Sequence, residues 1–229
     1  LFNCVSALFE SYPLTGVYSK FFHVESKDHS LNRYFSLIGN NDPVALYLGK
    51  ADRRPWYENN QDEVITIMSF MDGNVPSLGD NGFFYRREAI LKSNLDHYYP
   101  MDGAVDIAKV GENCYARYNC AMVWHRTSET LFSFLKKRYY YAKTLYCNQI
   151  QHRRWRMVRR KDIPRLILFA LFSITLVEPF LRATRGFIKV RDPAWYWHVP
   201  GCFSFLVIYT ILAIEWGCNL LWKKLSQLL

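Results

Sequence analysis

The stretch HYYPMDGAVDIAKVGEN, residues 97–113, decides how the chain is read. It sets Asp102 and Asp106 four positions apart in a run dominated by aromatic, small and aliphatic residues. Helical positions i and i+4 share a face, so the two carboxylates point the same way, into whatever cavity the segment lines. One reading makes Asp102 an N-cap, because Met-Asp-Gly-Ala before Val-Asp-Ile-Ala has the form of a helix start. The other makes it a catalytic base, and the rest of the chain has to decide.

The 229 residues suffice for one large domain or a domain with an appendage. Half of them are hydrophobic and 17% aromatic, which supports a sizeable core and argues against disorder. The net charge of +9 is unevenly placed: residues 1–135 are net −4, residues 136–165 net +10 and residues 166–229 net +3. A duplex-binding domain spreads Lys and Arg over its folded face. Here the charge is one block directly before apolar sequence, the arrangement expected beside a bilayer, so nucleic acid is excluded as the main partner.

The six cysteines, at 4, 114, 120, 147, 202 and 218, show no Cys-x-x-Cys spacing, which argues against a zinc site. There is no Asn-x-Ser/Thr sequon, and reduced thiols facing a cytoplasm are the expectation.

Along the chain, LFNCVSALFESYP reads as the end of an amphipathic helix stopping before Pro13, so the chain is expected to open inside a domain. GVYSKFFHV (16–24) alternates as a strand, HSLNRYFSLIG (29–39) and DPVALYLGK (42–50) read as short helices, and EVITIMSF (63–70) is again a strand. The turn-rich loop 71–82 leads into FFYRREAILKSN, a strand end followed by a helix. After 97–113 come a strand over 114–125 and a basic, aromatic helix over 129–150. The order is α/β.

Two apolar stretches follow the block QHRRWRMVRRKDIPR (151–165): Leu166–Leu181, interrupted by Glu178, and Val199–Trp222, interrupted by Glu215. Their charge-free runs of 12 and 16 residues fall short of the ~20 a span prefers, which leaves re-entrant or interfacial helices open. Trp195, Tyr196 and Trp197 before the second stretch and Trp222, Lys223 and Lys224 at its end favour a two-helix hairpin over 163–222, with a tail at 223–229. The positive-inside rule puts the body and both hairpin ends on the cytoplasmic side of a multi-pass protein. Glu178 lies four residues before Arg182 and is expected to pair with it along one helix.

Taken together, GDNGFFYRREAIL (79–91), a carboxylate near 102, VGENCYARYNCAMVWH (110–125), the basic aromatic helix and the apolar pair resemble the second half of a membrane-bound family-two glycosyltransferase of the GT-A fold. RYFSLIGNNDPVALYLGKADR (33–53) is similar to a segment found in bacterial and archaeal members. The resemblance implies a GT-A acceptor-side portion over 1–135, a basic juxtamembrane helix over 136–162 and the hairpin beyond it. It also implies an enzyme that transfers a sugar from a nucleotide-diphosphate donor with inversion. The Asp-x-Asp motif that holds Mg²⁺ or Mn²⁺ on the diphosphate in such enzymes does not occur in these residues. The donor half is therefore expected to be missing, and this chain alone to bind neither metal nor nucleotide sugar.

The acceptor half needs a carboxylate opposite the leaving diphosphate to take the hydroxyl proton as the new bond forms. Asp102 stands where the family has Glu-Asp, with Met101 in place of the Glu; Asp106 is the alternative. By the same resemblance Asp80, Asn81 and Gly82, in what composition reads as a tight turn, and His125, at the end of an apolar strand, line the acceptor or sugar pocket. QHRRW (151–155) matches the family's Gln-x-x-Arg-Trp motif, which assigns Trp155 to stacking on the acceptor and Arg154, after Gln151, to the diphosphate. In so Arg-rich a segment, a basic patch on anionic lipid is the favoured reading. The function expected is transfer to a lipid-linked or membrane-proximal hydroxyl. A polyprenyl-phosphate acceptor and a non-catalytic membrane subunit are the rivals.

Overall fold

The computed structural model describes all residues except 1, 59–64, 71–73, 79–81, 93–98, 110–112, 120–121, 129, 150 and 227–229, and the side chains of 146, 148 and 218–226. In order, the elements are α1 Phe2–Ser11, β1 Gly16–Ser19, β2 Phe22–His23, α2 Ser30–Ile38, α3 Pro43–Tyr47, β3 Ile65–Met68, β4 Phe83–Tyr85, α4 Arg87–Ile90, α5 Pro100–Lys109, β5 Tyr115–Tyr118, β6 Val123–Trp124, α6 Leu131–Ala142, α7 Ile163–Thr175, α8 Val177–Val190 and α9 His198–Ser226.

Local chemistry accounts for most of the boundaries. Asp42 caps α3, accepting from the Val44 amide at 2.9 Å, with Pro43 directly behind it in the first turn. Gly39, at φ 73°, ends α2 in the left-handed region where a Cβ would also meet the Arg54 carbonyl. Thr130 caps α6 through the Ser133 amide, and α6 continues into a π-turn over Lys143–Asn148.

The fold is mixed α/β. Its four-stranded sheet has the order β3-β5-β1-β4, with β1 parallel to β5 and the outer strands antiparallel; β2 and β6 form a second, parallel pair. The expected strands over 16–24 and 114–125 are each divided between these two sheets. One apolar cluster runs from Tyr18 and Phe35 through Trp155 to Phe169, Trp195 and Phe205, so the C-terminal helices share the body's core; a smaller one lies under α1.

The first apolar stretch of the expected hairpin is not one continuous helix. The first apolar stretch ends at Thr175, turns through Leu176 at φ 60° and resumes as α8, the two arms meeting at 84°. Pro179 accounts for the position of the break: it has no N–H, and its ring clashes with the carbonyl four residues back, at Thr175, so it fits only in the first turn of a new helix. Among the described residues one stretch, Pro193–Gly217, is long and apolar enough to cross a membrane. Glu178 and Arg182 do pair along α8, at 2.7 Å. The expectation of reduced thiols also needs correcting: Cys4 is disulfide-bonded, while Cys114, Cys147 and Cys202 are free.

Candidate functional site

Asp102 lies inside the first turn of α5, and its side chain is fully buried. Its carboxylate turns to the strap 151–162 between the π-turn and α7. Oδ2 accepts from Arg153 Nε at 2.7 Å, and Oδ1 accepts from the amides of Arg154 at 3.1 Å and Trp155 at 2.5 Å. One turn along α5, Asp106 Oδ1 lies 2.7 Å from Arg154 Nε. The i, i+4 carboxylates thus meet two consecutive arginines, and the N-cap reading gives way to a clamp between α5 and the strap.

The basic-patch reading of QHRRW is overturned for three of its five residues. Arg153 and Trp155 are buried and Arg154 is largely covered, while Gln151 and His152 are exposed. The Trp155 indole donates to the carbonyls of Val75 and Pro76 at 3.0 and 3.1 Å. Arg153 lies 4.8 Å over the Tyr99 ring. A second clasp follows: buried Lys50 donates to the carbonyls of Arg156 and Met157 and to Asp162, the last at 2.6 Å. Burial pushes the Lys50 pKa down. For Asp162, burial pushes the carboxyl up, but the hydrogen bonds from Lys50 and the Arg159 amide outweigh it and the net shift is downward.

Against this clamp opens a cleft of about 380 Å³, with Met101 and Trp155 on one wall and His125, Trp124 and Lys137 on another. His125 donates from Nε2 to Asn41 Oδ1 at 2.6 Å and stacks on Phe22 with centroids 4.5 Å apart. Burial, then the positive charges of Arg53 and Lys137, depress its pKa to about 4, so the imidazole is neutral at ordinary pH. Trp124 is 45% exposed and offers a flat apolar face beside polar Asn40, Asn41 and Thr127. The lining thus mixes aromatic faces with amide and hydroxyl groups and with the charged side chains of Asp42, Asp52, Arg126, Lys137 and Arg138.

Of the expected site residues, the structure joins Asp102, Asp106, Arg154 and Trp155 and brings His125 to the cleft that Trp155 lines. Gly82 is half-buried at φ 78°, where an added Cβ would strike Val123. That explains the glycine by backbone and packing. Asp80 and Asn81 lie outside the described residues.

Sequence reasoning did not single out Asp42 and Asp52, which line the same cleft. Asp42 Oδ2 accepts from Arg138 and Tyr209 and so ties α3 to α6 and α9. Burial raises the Asp52 pKa against the opposing pull of Arg53. The polar clusters GNND and KADRR between apolar helices were the available signal. Among the described residues no three His, Cys, Asp or Glu side chains are grouped to hold a metal ion, and no chemical step is assigned to one here. Comparison with protein-family models, with curated proteins and with solved structures found no match.

Proposed function

We propose that this chain is the acceptor-side portion of a membrane-associated, inverting glycosyltransferase that transfers a sugar from a nucleotide-diphosphate donor to a lipid-linked or membrane-proximal hydroxyl. The observation that carries the reading is the contact between Asp102 and residues 153–155. Two segments that resemble separate family motifs, 51 residues apart, meet in one buried cluster against a cleft next to the apolar helices. The donor and its divalent metal belong to the Asp-x-Asp half that the resemblance implies. In this reading the body sits on the cytoplasmic face, beside the basic block.

For Asp102 to take the acceptor's proton, one of its bonds to the strap has to yield to the incoming hydroxyl. Its three present donors favour one rival: a lipid phosphate acceptor, already largely deprotonated near neutral pH, needs no base, and Asp102 would then position the strap. Initial rates of the intact protein carrying Asp102→Asn, with donor and acceptor varied separately and the folded fraction fixed by circular dichroism, separate the two. On a hydroxyl acceptor turnover is expected to fall roughly 10²–10⁴-fold with little change in donor KM. Wild-type turnover in the folded variant would remove Asp102 from proton transfer.

A further inference from the structure

The three C-terminal helices pack against one another, and each leaves apolar side chains uncovered. Leu171 and Ile174 on α7, Phe180 and Leu181 on α8, and Val207 and Ile211 on α9 are all 40–64% exposed. Elsewhere the helices are fastened to the body. At the start of α8, Glu178 accepts from the Tyr47 hydroxyl. At its end, Lys189 donates to the Tyr57 carbonyl at 3.2 Å, and just beyond it Asp192 pairs with Arg33 at 3.0 Å. Helix α9 is held beside the cationic helix α6 by Arg138 to Tyr209 at 3.0 Å and, through the π-turn, by Lys143 to Glu215 at 2.7 Å.

These ties fix the geometry. A helix whose two ends both bond to residues 33–57 lies along the body and cannot carry its far end across a bilayer. The arms α7 and α8, of 13 and 14 residues, are each about 20 Å long, short of the roughly 30 Å hydrocarbon core.

We propose that these apolar side chains bed into a single leaflet of an anionic bilayer, with α7 and α8 entering and leaving on the same face, so that Lys189 stays on the side of the body. Charge selects lipid over a second copy of the chain. Arg160 and Lys161 stand exposed at the start of α7 and Arg191 just after α8, while Arg185 and Lys189 are exposed where α8 meets Tyr57 of the body, so cations border the apolar surface at both ends and along the body, as suits anionic headgroups. Tyr196, 37% exposed, adds an interfacial anchor. The inference stands apart from the activity proposed above: of the residues it uses only Arg138 also lines the cleft, and the test leaves Arg138 unchanged.

The test uses the full chain bound to phosphatidylcholine vesicles with and without phosphatidylglycerol. Single cysteines replace Arg160, Lys189, Leu171 or Leu181 in a background where all six native cysteines are alanine. An impermeant maleimide is expected to label positions 160 and 189 equally without permeabilisation. Fluorophores at 171 and 181 are expected to be quenched by nitroxides near the headgroup and not by nitroxides at the bilayer centre. Omitting phosphatidylglycerol is expected to weaken binding about tenfold or more. Labelling of position 189 that requires permeabilisation would restore the crossing hairpin and overturn the proposal. Absent quenching in a chain that sediments as a dimer would assign the apolar surface to a second copy and overturn it equally.

Discussion

Arg153 Nε donates to Asp102 Oδ2 at 2.7 Å across 51 residues of sequence, with both side chains at most 2% exposed. Breaking one member of so buried a pair strands the other's charge. Asp102→Asn is expected to destabilise the chain by about 3–5 kcal/mol in urea unfolding. Asp106→Asn weakens the partner of the somewhat more exposed Arg154 and should cost less, about 1–2 kcal/mol. Equal losses for the two variants would mean that the clamp is not centred on Asp102.

His125 gives a pH dependence of known sign. Its pKa in the fold, about 4, lies below the ordinary 6.5. Above pH 6.5 neither state binds the proton, and His125 contributes nothing to the slope. Between about 6.5 and 4 the unfolded chain takes up a proton that the folded chain refuses, so stability falls as pH drops, by up to about 1.4 kcal/mol per pH unit. Urea midpoints measured across this range should show the decline, and His125→Phe should remove about one proton's worth of it. An NMR titration with His125 protonating near 6.5 would contradict the burial argument.

Leu176 is a non-glycine residue at φ 60° and 38% exposed. Glycine reaches the left-handed region without the Cβ penalty of about 1–2 kcal/mol, which offsets the burial lost with the partly covered leucine side chain. Leu176→Gly should change stability by no more than about 1 kcal/mol in either direction in chemical denaturation. A loss above that would mean that the bend depends on the leucine side chain.

Gly186 faces the fully buried Trp195, and a Cβ built there falls inside the indole. Gly186→Ala should force Trp195 and α8 apart, cost about 1–3 kcal/mol and shift tryptophan emission to the red. An unshifted spectrum with unchanged stability would show that α8 does not seat on that ring.

Sequence carried the local grammar well. Asp42-Pro43 announced α3, Gly39 closed α2, and the turn-rich stretch before Phe83 led into β4 and α4 as expected. The break at Leu176 was also legible, because Pro179 forbids a continuous helix through Thr175, yet hydropathy over 166–181 conceals it. The partners of Asp102 were not legible. An i, i+4 pattern fixes which face two carboxylates share and says nothing of what a strap 51 residues away brings to that face. The same limit hid Lys50, whose clasp with residues 156–162 spans 112 positions.

The central claim is sugar transfer with inversion, and the stereochemistry of the product tests it most directly. The intact protein in membranes is supplied with isotope-labelled nucleotide sugars of α configuration, and the anomeric coupling of the lipid-extracted product is read by NMR. The account predicts a labelled glycolipid with a β linkage. An α-linked product, or no transfer from any of the donors by folded protein, would contradict it.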